Sequence, residues 1–159
     1  MALSVSVIIP VLDEEDAIGR VLGDLPDPGR VEDGVVYDII VVDNGSTDRT
    51  PAKAAEMGAR VVWEPRRGYG RACLAGLAAL DGPDVVLFLD GDYSDYPEEV
   101  AALLAPIREQ NADLVIGSRV LGEREAGALL PQARAGNKLS LIHISDPRDG
   151  LLSRMPSSA

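Results

Sequence analysis

The sequence has one cysteine, Cys73, among its 159 residues, which excludes an internal disulfide framework. No apolar run approaches the roughly 20 residues that a membrane-spanning helix needs. The N-terminus also lacks the basic segment and long apolar segment of a secretory signal. A reducing compartment suits a chain without disulfides. We therefore expect a cytoplasmic protein, and peripheral contact with the inner face of the membrane remains compatible with this.

Basic residues are also scarce. The chain has 15 Lys and Arg against 26 Asp and Glu, so its formal net charge is -11. No basic surface is evident that would neutralise a nucleic-acid backbone, and this argues against nucleic acid as a partner. Any phosphate ligand would need a metal ion or a local group of cations. The one histidine, His143, lies in an irregular C-terminal stretch, where an incidental position is favoured over a catalytic one.

Short apolar runs alternate with helical periodicity along most of the chain. The apolar runs predict strands at residues 5–11, 37–42, 60–64, 85–89 and 113–117. The periodic segments predict helices at residues 13–25, 50–57, 72–80 and 97–110. This alternation indicates an α/β fold: a single Rossmann-like domain with a mostly parallel sheet and helices on both faces.

Two helix starts carry specific expectations. Four acidic residues, Asp13 to Asp16, are expected in the first turn of the first helix, where negative charge suits the helix dipole. Thr50, followed by Pro51, is expected to cap the N-terminus of the second helix.

Paired carboxylates follow the predicted fourth strand, in Asp90-Gly91-Asp92. If strand geometry persists through Gly91, the two aspartates project from the same side. Two oxygen ligands on one side suit Mg²⁺ or Mn²⁺. A plain polar turn after a core strand is the alternative interpretation.

Polar side chains also follow other predicted strands: Asp13 and Glu14, then Asp43, and finally Arg119. Parallel connections bring such strand ends to one edge of a sheet. The set suits a nucleoside diphosphate, with carboxylates for a metal ion, Asp43 as an acceptor for a base or ribose donor, and arginine for phosphate oxygens. These residues predict transfer from an activated donor.

A basic stretch at residues 65–71 alternates arginine with glycine directly before a predicted helix. Backbone amides and guanidinium groups in such a stretch can approach a phosphate. A flexible, solvated turn is the alternative, since one Gly-x-Gly pattern is weak evidence.

Five motifs stand in order along the chain: residues 7–14, 41–48, 68–72, 90–92 and 117–119. In this order they resemble the motifs of family-two inverting glycosyltransferases. The resemblance is closest to the branch that contains dolichyl-phosphate and polyprenyl-phosphate sugar transferases. It implies a nucleotide-sugar-binding domain of the GT-A type with Mg²⁺ or Mn²⁺. It also implies transfer of a hexose from a nucleotide-diphosphate sugar, of the UDP-glucose or GDP-mannose type, to polyprenyl phosphate as the expected acceptor.

The resemblance assigns roles to individual residues. The donor nucleotide would be contacted by Pro10, Leu12, Glu14, Val41 and Asp43. Asp90 and Gly91 would lie at its ribose and phosphates, Asp92 would ligate the metal beside Asp90, and Arg119 would meet the pyrophosphate or the sugar. Further phosphate contacts are expected from Arg71, where many relatives have lysine, and from Arg134. Asn44 stands where relatives often have a second aspartate, a change expected to be mild because an amide also caps turns.

The C-terminal part departs from the resemblance. After residue 138 the family would continue with apolar helices and acceptor-side elements, and this sequence does not. We expect a donor-binding domain at residues 1–138 and an irregular tail at 139–159, foreign to the fold of a truncated chain; a divergent natural terminus is the alternative.

Other functions stay open. One is a nucleotide-sugar-binding module or inactive fragment. Another is a nucleotidyltransferase, although that class usually has a glycine-rich basic loop where this chain has Leu12-Asp13-Glu14-Glu15.

Overall fold

The computed structural model describes residues 1–110 and 112–117. The chain divides into two units, Met1–Val115 and Ile116–Ala159, and the first contains all the helices and strands that the structure describes. Arg119, Arg134, His143 and the predicted boundary after residue 138 lie outside the described residues.

Within those residues, one five-stranded sheet forms the centre of the fold. Its strands are β1 Leu3–Val11, β2 Val31–Glu32, β3 Val35–Asp43, β4 Arg60–Trp63 and β5 Val85–Phe88. β1 pairs in parallel with β3 on one side and β5 on the other, and β4 pairs in parallel with β3. Only the short β2, in the described part of the chain, runs antiparallel, against the start of β3. The predicted mostly parallel sheet is confirmed, and the carboxyl ends of its four parallel strands lie at one edge.

Helices cover both faces of this sheet. They are α1 Ile18–Gly23, α2 Thr50–Glu56, α3 Tyr69–Ala78 and α4 Val100–Arg108, the last preceded by a 3-10 turn at Pro97–Glu99. α3 packs on one face, where Ala72 joins a core cluster with Ile8. α1 and α4 pack on the other face, where Ile18 and Leu104 join the larger cluster. The predicted layers are therefore confirmed.

The sheet explains why the central strands lack alternation in their sequence. All residues from Val5 to Val11 are buried, as are those from Ile39 to Asp43. Successive side chains enter opposite core clusters: Val7 and Ile9 face one and Ile8 the other. Since both faces are covered, nearly all of these side chains are apolar, and Ser6 and Asp43 are the exceptions.

The start predicted for the first helix is wrong. α1 begins at Ile18, and Asp13 to Asp16 precede it in a turn, with φ of 57° at Asp13. The reason is that side chains of another loop bind the backbone N–H groups of this segment. The Asp13 N–H donates to Ser46 Oγ at 3.0 Å, and the Glu14 N–H donates to Thr50 Oγ1 at 2.8 Å. These bonds tie the acidic residues to the loop after β3 instead of placing them in the first turn of the helix.

Thr50 is likewise not the cap of α2. It is the first helical residue, with Arg49 at the N-cap position. Its hydroxyl is already used, since it donates to Asp48 and accepts from the Glu14 N–H.

Residues 113–117 do not form the strand that their composition predicts. Leu114 and Ile116 are 76% and 78% exposed, so these side chains lack the covering layer that a buried strand requires. Conversely, β2 was not expected. It arises from the two-residue turn Asp33-Gly34, whose φ values of 48° and 79° suit a hairpin of this twist.

Across residues 1–110 and 112–117, the longest apolar helix falls short of what a bilayer crossing requires.

Candidate active site

A cleft of about 420 Å³ opens at the carboxyl edge of the sheet. It is lined by residues at the ends of β1, β3 and β5 and by the first turn of α3: Pro10, Val11, Leu12, Glu14, Asn44, Gly68, Tyr69, Ala72, Asp90, Gly91 and Asp92. Of the residues predicted to bind a donor or a metal, the structure brings together Pro10, Leu12, Glu14, Asp90, Gly91 and Asp92. Their convergence is what parallel strands ending at one edge predict.

A larger cavity, of about 570 Å³, lies at the opposite edge of the sheet, beside Ser4, Asp38 and Arg60. Its arginine is already paired, with Arg60 Nη2 at 2.6 Å from Asp38 Oδ2 and Nη1 at 2.7 Å from the Ala79 carbonyl oxygen. Ligands of open α/β sheets bind at the carboxyl ends of strands. We therefore assign the functional site to the smaller cleft.

The two aspartates reach the cleft by a route different from the one expected. β5 ends at Phe88, and Gly91 and Asp92 lie in a turn, so strand alternation does not align the carboxylates. Asp90 is half-buried and Asp92 is exposed. The Asp92 carboxylate is oriented locally, since Oδ1 accepts the Ser94 N–H at 2.9 Å.

Negative charge is concentrated in the cleft. Burial raises the pKa of Glu14, and the charges of Asp92, Asp48 and Asp13 raise it further. A divalent cation would relieve this repulsion. Where the structure describes the chain, no three His, Cys, Asp or Glu side chains are arranged to hold a metal ion by themselves. A cation here would take one or two carboxylates and complete its shell with ligand oxygens, as Mg²⁺ does in nucleotide sites.

Tyr69 is a site residue that the sequence interpretation missed. Its hydroxyl lies 3.3 Å from Asp90 Oδ1 and donates to it. Although Tyr69 is 62% exposed, partial desolvation of its hydroxyl and the charge of Asp90 raise the pKa of Tyr69 to about 12. The available signal was its position between Gly68 and Gly70 at the start of α3.

The loops after β1 and β3 hold each other through side chains bonded to backbone. Asp13 Oδ1 accepts the Thr47 N–H at 2.6 Å and Glu15 Oε2 accepts the Arg49 N–H at 3.1 Å. In return Asp48 Oδ2 accepts the Glu15 N–H at 3.1 Å. These reciprocal bonds fix the segment that carries Leu12 and Glu14 into the cleft.

Three predicted donor residues lie outside the cleft lining. Val41 is fully buried in the core, so its side chain does not line the cleft, and its contact with the donor stays a prediction. Asp43 is 6% exposed, and its Oδ1 accepts the Ser46 N–H at 2.9 Å, which shapes the loop after β3. Arg71 lies near Glu64, whose pKa its charge helps to lower. Arg119 and Arg134 are outside the described residues.

The basic stretch before α3 is only partly available to a ligand. Arg66 is bound by Glu64: Nε lies 2.9 Å from Oε1, Nη2 lies 2.8 Å from Oε2, and the Arg66 N–H donates to Oε1 at 2.9 Å. Arg67 lies 3.4 Å from the Gly45 carbonyl oxygen and is exposed.

Comparison with known proteins gives one family match. The family described as Glycosyl transferase family 2 matches residues 6–149. This range runs past residue 138, where the sequence predicts the domain to end, and that boundary stays a prediction.

Two curated relatives come from Haloferax volcanii. The low-salt glycan biosynthesis hexosyltransferase Agl6 is 36% identical over 140 residues, which cover 87% of this chain and 33% of that protein. A dolichyl-phosphate hexose transferase is 39% identical over 132 residues, which cover 83% of this chain and 54% of that protein. The chain thus spans between a third and about half of the length of these relatives.

A solved structure with the same fold is glucosyl-3-phosphoglycerate synthase from Mycobacterium tuberculosis, in complex with Mn²⁺, UDP-glucose and phosphoglyceric acid. Its TM-score is 0.56 and its identity 36%, over 66% of this chain and 39% of that chain.

Proposed function

This chain belongs to glycosyl transferase family 2, and on that premise we propose that its cleft binds a nucleotide-diphosphate hexose with a divalent metal ion and donates the hexose to a phosphate-bearing acceptor. The observation that carries the proposal is the convergence of Glu14, Asp90 and Asp92 in one cleft at the carboxyl edge of the sheet. Carboxylates concentrated in this way attract a cation, and a cation in turn attracts a diphosphate.

In this proposal Asp92 is the metal ligand and Asp90 supports it or accepts from the ribose. Asp92 is the more exposed of the two, whereas Asp90 is half-buried and accepts from Tyr69. Mn²⁺ or Mg²⁺, when bound, supplies neutralisation of the charge that develops on the departing diphosphate. The Mn²⁺ and UDP-glucose named for the related synthase structure support this choice of ion and donor.

The remaining lining residues have simpler roles. Pro10 and Leu12 give the cleft an apolar wall on the β1 side, with Leu12 38% exposed. Such a surface suits the face of a nucleobase. Gly68 and Tyr69 form the wall on the α3 side. The donor would therefore lie between the end of β1 and the start of α3, with its diphosphate toward Asp92.

We propose polyprenyl phosphate at the inner face of the membrane as the acceptor. An oxygen of its phosphate would attack the anomeric carbon as the bond from that carbon to the donor diphosphate breaks, and the electron pair would leave with the nucleoside diphosphate. Because a phosphate is already an anion, this attack needs no general base. The dolichyl-phosphate hexose transferase among the relatives supports this acceptor, whereas the phosphoglyceric acid of the synthase structure favours a small phosphorylated one.

Calorimetric titration of the chain with UDP-glucose and GDP-mannose, with and without Mn²⁺, tests the donor site. We expect saturable binding of one donor that weakens at least tenfold when Mn²⁺ is chelated. Failure of both donors to bind with Mn²⁺ present would contradict the proposal. Glucose and free UDP serve as controls that separate recognition of the sugar from that of the nucleotide.

A second candidate function is a nucleotide-sugar-binding module that does not transfer the sugar. The cleft would suffice for this function, because binding a donor needs no acceptor. Incubation of donor-bound protein with polyprenyl phosphate in detergent separates the two: release of nucleoside diphosphate with glycolipid formation supports transfer, and binding without release supports the module. Release of pyrophosphate from a nucleoside triphosphate would instead indicate a nucleotidyltransferase.

A further inference from the structure

Asn44 is a buried residue whose side chain makes three hydrogen bonds to one loop. It directly follows β3 and is 5% exposed. Its Nδ2 donates to the carbonyl oxygens of Glu64 at 2.9 Å and Arg66 at 3.0 Å, and its Oδ1 accepts the Gly68 N–H at 2.7 Å. Two acceptors and one donor around the amide fix which atom is nitrogen and which is oxygen.

These bonds determine where the loop at residues 64–68 lies. The loop connects β4 to α3 and ends at Gly68, the N-cap of α3, where φ is 138°. Few L-residues adopt such a φ, so glycine suits this position, and its N–H donates to Asn44 Oδ1. The helix that starts there brings Tyr69 and Ala72 into the cleft lining.

Asn44 is itself fixed to the centre of the sheet. Its backbone N–H donates to the Val11 carbonyl oxygen at 3.0 Å. One residue therefore connects the end of β1, the end of β3 and the start of α3. The end of β1 and the start of α3 form opposite walls of the cleft. The distance between these walls therefore depends on the hydrogen bonds of Asn44.

We infer that Asn44 is a positioning residue that sets the width of the donor cleft by holding the loop at residues 64–68 against β3. The identity of the ligand in this inference rests on the proposed function. The hydrogen bonds of Asn44 to the loop do not depend on that function. Asn44 lies in the cleft lining itself, and its effect on the width of the cleft acts through Gly68 and Tyr69.

The amide is not interchangeable with a carboxylate in this chain. A carboxylate at this position would keep the acceptor for the Gly68 N–H and lose both donors. It would also place a charged oxygen about 3 Å from two carbonyl oxygens in a buried site, using the distances of the present bonds. The expectation that asparagine is a mild replacement for the aspartate of relatives stays a prediction; the reverse change, Asn44→Asp, is costly in this fold.

Two variants test the inference, read by two measurements. Asn44→Ala removes all three bonds, and Asn44→Asp removes two donors at nearly constant volume. Hydrogen exchange of the Gly68 amide, relative to wild type, should be at least tenfold faster in Asn44→Ala, since its acceptor is lost. The dissociation constant for UDP-glucose with Mn²⁺ should rise about tenfold in Asn44→Asp, the scale expected for losing buried hydrogen bonds.

Ile39→Val is the matched control. Ile39 lies in the same strand, is 2% exposed and belongs to the core cluster on the side away from α3. Ile39→Val should lower the melting temperature without changing Gly68 exchange or donor affinity. If Asn44 contributed only to overall stability, its variants would behave like this control at temperatures where the protein is folded. If Asn44→Asp does not fold, Asn44→Ser takes its place, since serine keeps a small polar group that cannot reach all three partners.

The outcomes are distinct. Unchanged Gly68 exchange in Asn44→Ala overturns the inference, and so does faster exchange with unchanged donor affinity in both variants. If wild-type protein binds neither UDP-glucose nor GDP-mannose, the proposed function fails, and the exchange of Gly68 still decides whether Asn44 holds the loop.

Discussion

Val11 and Gly91 are in direct contact where β1 and the turn after β5 end side by side. A Cβ atom on residue 91 would lie 2.6 Å from Val11 Cγ1 and 3.4 Å from the Pro10 carbonyl oxygen. Any side chain there would force Val11 or the turn to shift. Glycine between the two aspartates is thus a packing requirement, and it lets both carboxylates approach the end of β1.

Gly91→Ala should weaken both the fold and the site. The added methyl forces the turn away from β1, at a cost of about 1–3 kcal/mol for overpacking. Because the turn carries Asp90 and Asp92, we expect metal-dependent donor affinity to fall more than the stability loss alone would explain. Chemical denaturation and donor titration with Mn²⁺ measure the two effects.

Gly70→Ala is the control for this variant, since nothing lies within 4 Å of a Cβ at residue 70 and the residue is helical. Alanine there should be neutral or stabilising by up to about 1 kcal/mol. The double variant Gly91→Ala with Val11→Ala should recover part of the lost affinity; additive effects of the two substitutions would argue against the contact as the cause.

Asp92→Ala should abolish metal-dependent donor binding and leave the fold intact. Asp92 is exposed, and substitutions of exposed residues usually change the free energy of unfolding by less than about 0.5 kcal/mol. Isothermal titration with and without Mn²⁺ measures the first effect and urea unfolding the second. Asp81→Ala removes an exposed aspartate at the opposite edge of the sheet and should do neither. Donor affinity equal to that of wild type in Asp92→Ala would overturn the assignment of this residue to the metal.

The sheet could be predicted from sequence because burial on both faces imposes a composition. Residues of β1 and β3 must nearly all be apolar, and such runs are visible without any knowledge of their partners. Residues 113–117 show the limit of that reasoning. Their composition is similar, but the structure leaves Leu114 and Ile116 exposed, and composition alone does not reveal whether a covering layer is present.

The acidic residues of the cleft could also be predicted, since each follows an apolar run closely. Asn44 and Tyr69 could not, because their roles depend on partners about 20 residues away: Asn44 binds the Glu64 to Gly68 loop and Tyr69 binds Asp90. For the arginines of the basic stretch, the sequence suggests a ligand contact, but the fold supplies a partner within the protein. Arg66 looks available for a phosphate in the sequence, whereas in the fold Glu64 binds it.

Glu64 should make the free energy of unfolding decrease as the pH falls through a defined range. Hydrogen bonds from Arg66 lower the pKa of Glu64 from 4.5 to about 2. A carboxylate with a lowered folded-state pKa stabilises the protein above its unfolded pKa, and this contribution is lost as pH falls from about 4.5 to about 2. The urea midpoint of wild type should therefore fall more steeply across this range than that of Glu64→Gln, which cannot titrate.

Subtracting the urea midpoint of Glu64→Gln from that of wild type at each pH removes the contribution of the other acidic residues. Arg66→Ala offers an independent control, because it returns Glu64 toward its ordinary pKa while keeping the carboxyl group. Parallel pH profiles for wild type and Glu64→Gln would show that the Glu64 to Arg66 pair does not contribute to folding.

Thr50→Val should destabilise the connection between the loops after β1 and β3. Thr50 is fully buried, and its hydroxyl accepts the Glu14 N–H at 2.8 Å while donating to Asp48 Oδ1. Valine has the same shape but leaves the Glu14 N–H without this acceptor, and because that group is only partly buried the cost should be about 1 kcal/mol. In a chain of this length that corresponds to a drop of a few degrees in melting temperature. Thr50→Ser is the matched control, since it keeps the hydroxyl and removes only a methyl group. We expect serine to be closer to wild type than valine is; the reverse order would mean that packing of the methyl, rather than the bond to Glu14, holds the two loops together.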